Sequence, residues 1–114
     1  MPRDDSDRLQ HMLTAARKAS ALTAGKSRED MEGDETLALA VIHQLEILGE
    51  AAKGVSAETV ALNPDLPWKE MAATRDRLVH GYFSVDLDIV WQIVVEDVPP
   101  VIRALEEMVE PGGG

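Results

Sequence analysis

The chain contains no cysteine, only four aromatic side chains in 114 residues, and no apolar run longer than the six residues from Leu37 to Ile42. Without cysteine there is no disulfide framework, no thiolate zinc site and no cysteine nucleophile, and the composition fits a reducing compartment. The opening Met1-Pro-Arg-Asp-Asp-Ser-Asp-Arg8 is charged from its third residue, so neither a secretory signal nor a membrane span is predicted. The expected location is the cytoplasm. Positive charge is also scarce: 11 Lys and Arg stand against 21 Asp and Glu, a net charge of −10. Such a surface does not coat nucleic acid, because phosphate neutralisation needs clustered cations.

The length supports one hydrophobic core without staples. A single helical domain is expected over residues 1–110, followed over 111–114 by a Gly-rich tail expected to be flexible. Charge is uneven within the domain: residues 1–33 carry six basic and six acidic side chains, residues 34–114 five and fifteen. In the second part Lys69, Arg75 and Arg77 form a local basic island, where an anion would find attractive potential.

Apolar residues at 9, 12, 13 and 16 have the spacing of an amphipathic helix, with Asp4, Asp5 and Ser6 as candidate caps and an end near Ala24. Gly25 to Gly33 is polar and reads as a loop. Asp34 then caps a second helix with apolar residues at 38, 41, 42, 45, 48 and 52, closing at Gly54 through a left-handed glycine turn. Ser56 opens a short helix that Asn63-Pro64 stops. Pro67 begins another, carrying Trp68, Met71, Leu78 and Val79 and ending at Gly81, which puts His80 in its last turn. The final helix opens at Asp86, with Leu87, Val90, Trp91, Val94 and Val98 on one face and a kink or break at Pro99-Pro100. Helical periodicity dominates throughout, so the expected fold is all-α, an antiparallel bundle of about five helices.

Most chemical motifs are missing. There is no phosphate-binding glycine loop, and the histidines at 11, 43 and 80 form no metal-binding pair, so neither a metal nor an organic cofactor is expected. The segment Arg75-Asp76-Arg77-Leu78-Val79-His80-Gly81-Tyr82 stands apart, with a fixed cation, an imidazole and a phenol within eight residues. Arginine can hold a non-bridging phosphate oxygen, and histidine moves protons near neutral pH. RNA brings its own nucleophile, the 2′-hydroxyl, so cleavage needs only base, acid and charge stabilisation.

On an ideal helix Arg75 and His80 project about 140° apart while Arg75 and Tyr82 nearly eclipse. Convergence therefore requires unwinding at Gly81 or the pairing of two subunits that pool their Arg and His. Plainer roles stay open. Arg75 and Arg77 fit an ion-paired helix face, His80 a helix C-cap and Tyr82-Phe83 a core anchor. His11 and His43 are explained by their helices, Glu50 by a solvated stripe, Trp68 and Trp91 as core pieces, and Met12, Met71 and Met108 as gap-fillers.

At these residues the sequence resembles the HepT-like ribonuclease toxins of the HEPN superfamily, marked by Arg, four residues, His, any residue, Tyr: here Arg75, His80 and Tyr82. The likeness continues through Ala40 to Lys53, Pro64 to Trp68, His80 to Phe83, Val90-Trp91 and Asp97 to Pro99, covering about residues 7–105. It implies a homodimer with a shared cleft in which RNA is cut without metal. Arg75 then holds the scissile phosphate, His80 transfers protons and Asp76 occupies the place of the orienting polar residue, where the family most often has Asn. Tyr82 is the residue that a separate nucleotidyltransferase antitoxin adenylylates to silence the enzyme. The function so implied is the toxin of a type VII-like toxin-antitoxin pair. The alternative is a non-catalytic module that binds and assists a nucleotidyltransferase, which the acidity of the chain favours.

Overall fold

The computed structural model describes residues 3–74, 79–80 and 84–110. Three long helical stretches carry the architecture: α1 (Arg3–Thr23), α3 (Glu35–Lys53) and a C-terminal stretch made of α6 (Leu87–Gln92), a π-helical turn (Ile93–Asp97) and α7 (Val98–Val109). Shorter helices α2 (Arg28–Glu32), α4 (Ala57–Leu62) and α5 (Trp68–Ala72) connect them. The fold is all-α apart from one antiparallel pair of two-residue strands, β1 (Val79–His80) and β2 (Ser84–Val85), in register Val79 with Val85 and His80 with Ser84.

The core lies along α1 in two clusters. Leu9, Met12, Leu13 and Ala15 pack with Leu48, Ala52, Leu66, Met71, Val101 and Leu105. One turn further on, Ala16 and Ala19 pack with Met31, Ala38, Val41, Leu45, Val90, Ile93, Val94 and Val98. The pairing of early α1 with late α3 and late α7 makes α1 antiparallel to both, as the sequence predicts. Alanines at 15, 16, 19 and 38 are buried, and their small side chains let the helix axes approach closely. Trp68 and Trp91 are half-buried at the edges of the clusters rather than central, and the Trp68 indole N–H donates to the Asn63 carbonyl at 2.8 Å.

Several local readings are corrected. The stretch read as a loop contains α2, because Ser27 and Asp30 form a reciprocal capping box and Met31, the next residue, buries completely. Gly54 ends α3 in right-handed geometry, φ −85° and ψ −7°; the left-handed glycine among the described residues is Gly25, φ 73°, after α1. Gly54 instead gives room to the Arg8 side chain, whose Nε lies 2.1 Å from where a Cβ would stand.

The helix from Pro67 does not run to Gly81. Pro67 is its N-cap and α5 ends at Ala72, where the buried Thr74 hydroxyl donates to the Glu70 carbonyl. His80 therefore lies in an extended strand, not a helix end. Finally, Pro99-Pro100 does not break the last helix. Their missing N–H groups leave the carbonyls of Val95 and Glu96, both exposed residues, without those donors, and the chain widens one turn earlier: the Val98 N–H reaches the Ile93 carbonyl five residues back.

Asp5 is not a cap of its own helix, which starts at Arg3. It is 2% exposed and reaches across to α4, accepting from the Ser56 amide at 2.9 Å, the Ser56 hydroxyl at 2.5 Å and the Thr59 hydroxyl. Hydrogen bonds from the Ser56 hydroxyl, then the Thr59 hydroxyl and the Ser56 amide, hold its carboxyl below the ordinary value of 3.8 against the opposing effect of burial; the Arg8 charge adds to the lowering. A lowered folded-state pKa contributes stability that is complete above the unfolded value and disappears as pH falls through the folded one. Asp5→Asn should therefore lower Tm by several degrees at neutral pH. Thermal scans of both proteins should show that difference shrinking toward zero on acidification to about pH 2.

Candidate functional site

The segment singled out in the sequence is flanked by two well-packed elements. Its entry is α5, which packs on α3 at a point where the helix backbones nearly touch: a Cβ at Gly49 would lie 2.8 Å from the Met71 carbonyl oxygen and 3.6 Å from the Thr74 Cβ. Only glycine allows that approach. Its exit is β2 and α6. Val85 packs against the second core cluster, and the Asp86 carboxylate caps α6 by accepting from the amides of Asp88 and Ile89 at 2.9 and 3.3 Å. Arg28 fastens α2 to this end through its ion pair with Asp88 and also pairs within α2 with Glu32 at 2.6 Å; the two carboxylates raise its pKa, Glu32 contributing most.

His80 is placed by its backbone in β1, opposite Ser84. Arg75, Asp76 and Tyr82 lie outside the described residues, as do Arg77 and Phe83. Lys69, the remaining member of the basic island, is exposed on α5.

Two features were missed in the sequence. The first is a groove of about 450 Å3 between α1 and α3 lined by Arg8, His11, His43, Glu46, Ile47, Glu50 and Ala51. His11 and His43 each sit on the polar stripe of one helix, and nothing in either stripe says which other stripe it will face. The second is a cavity of about 490 Å3 between α3, α5 and the C-terminal helix, walled in part by Met71, Thr74, Ile93 and Glu96. Pro99-Pro100 was its only sequence signal, since the π turn that precedes them supplies part of the wall. Among the described residues no group of three or more His, Cys, Asp or Glu is arranged to hold a metal ion, and no helix is long and apolar enough to cross a membrane.

Residues 12–108 match the family model of ribonuclease HepT-like proteins. The chain belongs to this HepT-like family. It is 37% identical over 108 residues to a protein of Thermococcus cleftensis named as a probable ribonuclease HepT, covering 95% of this chain and 98% of that one. A candidate RNase of Caldanaerobacter subterraneus is 33% identical over 102 residues, covering 90% and 91%. Another from Methanocaldococcus jannaschii is 34% identical over 104 residues, covering 91% and 95%. No solved structure gives a significant match. The HepT-like assignment agrees with the all-α architecture and with the resemblance carried by Arg75, His80 and Tyr82 in the sequence.

The two close glycine contacts should respond differently to substitution. Gly49→Ala forces a methyl against a backbone carbonyl and should cost about 1–3 kcal/mol by overpacking, moving α5 and the residues after it. Gly54→Ala meets the far part of the Arg8 side chain, which can swing away, and should cost less. Urea denaturation of the two variants, side by side, checks the order.

Proposed function

We propose that this chain is a metal-independent endoribonuclease, the toxin of a type VII-like toxin-antitoxin pair, acting in the cytoplasm as a homodimer formed by domains spanning residues 1–110. The observation that carries the reading is the family match over residues 12–108, within which the sequence keeps Arg75, His80 and Tyr82 at the family's spacing. In this scheme the RNA 2′-hydroxyl loses its proton to a base and attacks the adjacent phosphorus. The bond to the 5′ oxygen breaks as that oxygen takes a proton from an acid, leaving a 2′,3′-cyclic phosphate and a 5′-hydroxyl. Two copies of His80, one from each subunit, supply base and acid, and Arg75 stabilises the charge on the non-bridging oxygens. Asp76 orients the pair.

Tyr82 is the control point of the proposal. A partner nucleotidyltransferase transfers adenylate from ATP to its phenolic oxygen with release of pyrophosphate, placing a charged group two residues from His80. A second reading, a non-catalytic module that assists the nucleotidyltransferase, is favoured by one fact, the net charge of −10, which suits a basic protein better than RNA.

The test uses full-length protein, shown by intact mass to be unmodified, with RNA in excess chelator. Wild type should leave cyclic-phosphate ends. His80→Ala should be slower by roughly 10²–10⁴-fold and Arg75→Ala by roughly 10²–10³-fold, both with the dimer intact. Tyr82→Phe should still cut RNA yet gain no adenylate mass when incubated with the partner and ATP. A dimeric, unmodified wild type that leaves RNA whole while promoting nucleotide transfer by the partner would establish the second reading instead.

A further inference from the structure

The cavity between α3, α5 and the C-terminal helix has a definite chemistry. Its floor is apolar and buried, made by Leu48, Leu66, Met71, Val98 and Val101. At its rim stand the carboxylates of Asp65, Glu70, Glu96 and Asp97, and among the described lining residues these are the only ionisable side chains. Its volume, about 490 Å3, falls in the range of roughly 300–1,000 Å3 typical of small-molecule sites. These described side chains disfavour phosphate and offer hydrogen-bond acceptors to a flat, neutral group with apolar faces and N–H donors at its edge. Met71 adds a polarisable thioether suited to an aromatic face.

We infer that this cavity receives a nucleobase of the RNA substrate, with guanine preferred. Guanine presents two N–H groups side by side, at N1 and N2, which one carboxylate can accept together. Adenine and cytosine offer a single exocyclic amino group, and the one imide N–H of uracil is flanked by two carbonyl oxygens that a carboxylate repels. Glu70 and Glu96 are the acceptors best placed to discriminate. Both are exposed at the rim; Glu96 already accepts from the Gln92 amide at 3.3 Å, which leaves acceptor capacity on its carboxylate. The π turn Ile93–Asp97 widens the helix at this wall and supplies Ile93, Glu96 and Asp97 to the lining. On the opposite wall Thr74 is the residue before Arg75 in the sequence. This assignment rests on the ribonuclease reading above, and it makes the acidic rim a selector: backbone phosphate stays outside while the base enters.

The experiment separates the two. Methyl NMR of the full-length His80→Ala protein is followed while the four ribonucleosides, which carry no phosphate, are added one at a time. Guanosine should shift the Met71, Leu48 and Ile93 methyl signals most strongly and uridine least. The Glu70→Gln/Glu96→Gln double variant, altered only at exposed side chains, should bind guanosine at least about fivefold more weakly. Ala104→Leu, which fills the cavity, should abolish the shifts. Equal shifts with all four nucleosides, or none with any, overturn the base pocket. In parallel, wild-type cleavage of a mixed-sequence RNA is mapped: cuts without base preference overturn the pocket alone, whereas guanosine binding without any cleavage supports the pocket and removes the ribonuclease reading.

Discussion

The approach of α3 to α5 at Gly49 fixes where α5 lies. Because the Met71 carbonyl lies where a side chain would begin, α5 sits directly on the α3 backbone, and the buried Thr74, two residues past its end, packs beside the same glycine. At the other end Val85 in the core and Asp86 on the α6 amides fix where the segment returns. A short strand pair between two such anchors gives His80 a defined backbone position in a protein whose other elements are helical.

The parts of this arrangement that were legible in the sequence are those governed by one helix at a time. The apolar spacing of α1 and α3, the Asp34, Ser56 and Asp86 caps and the stop at Asn63-Pro64 all follow from local rules, and all are present. The misreadings share a cause: each turns on a contact between elements. Asp5 looked like a cap until α4 came within reach of it. Gly54 looked like a turn residue until Arg8 crossed it. The loop at 25–33 looked unstructured because its one apolar anchor, Met31, has no periodic neighbours to announce it. The two-residue strands Val79–His80 and Ser84–Val85 are too short to show any alternation in the sequence.

The candidate site was legible for a different reason. Arg75, His80 and Tyr82 were picked out by residue type and spacing, which survive in the sequence whatever backbone carries them. Of the three, only His80 has a described backbone, and it is a strand residue where the local pattern reads a helix end.

Charge makes the last connection. A protein of net charge −10 can bring an RNA phosphate only to a place where the field has been locally reversed, and the sequence concentrates its cations in the second part around Lys69, Arg75 and Arg77. Carboxylates on the rim of the cavity between α3, α5 and the C-terminal helix oppose this only if they meet phosphate. A nucleotide is polar in a directional sense, anionic at one end and a neutral donor-bearing ring at the other, and an acidic rim on the cavity suits the ring end alone. The same arrangement penalises a polyanion laid across it in any other orientation, since phosphate over the rim meets several carboxylates at short range. An acidic surface is thus compatible with an RNA substrate when selectivity, more than affinity, is what the site supplies.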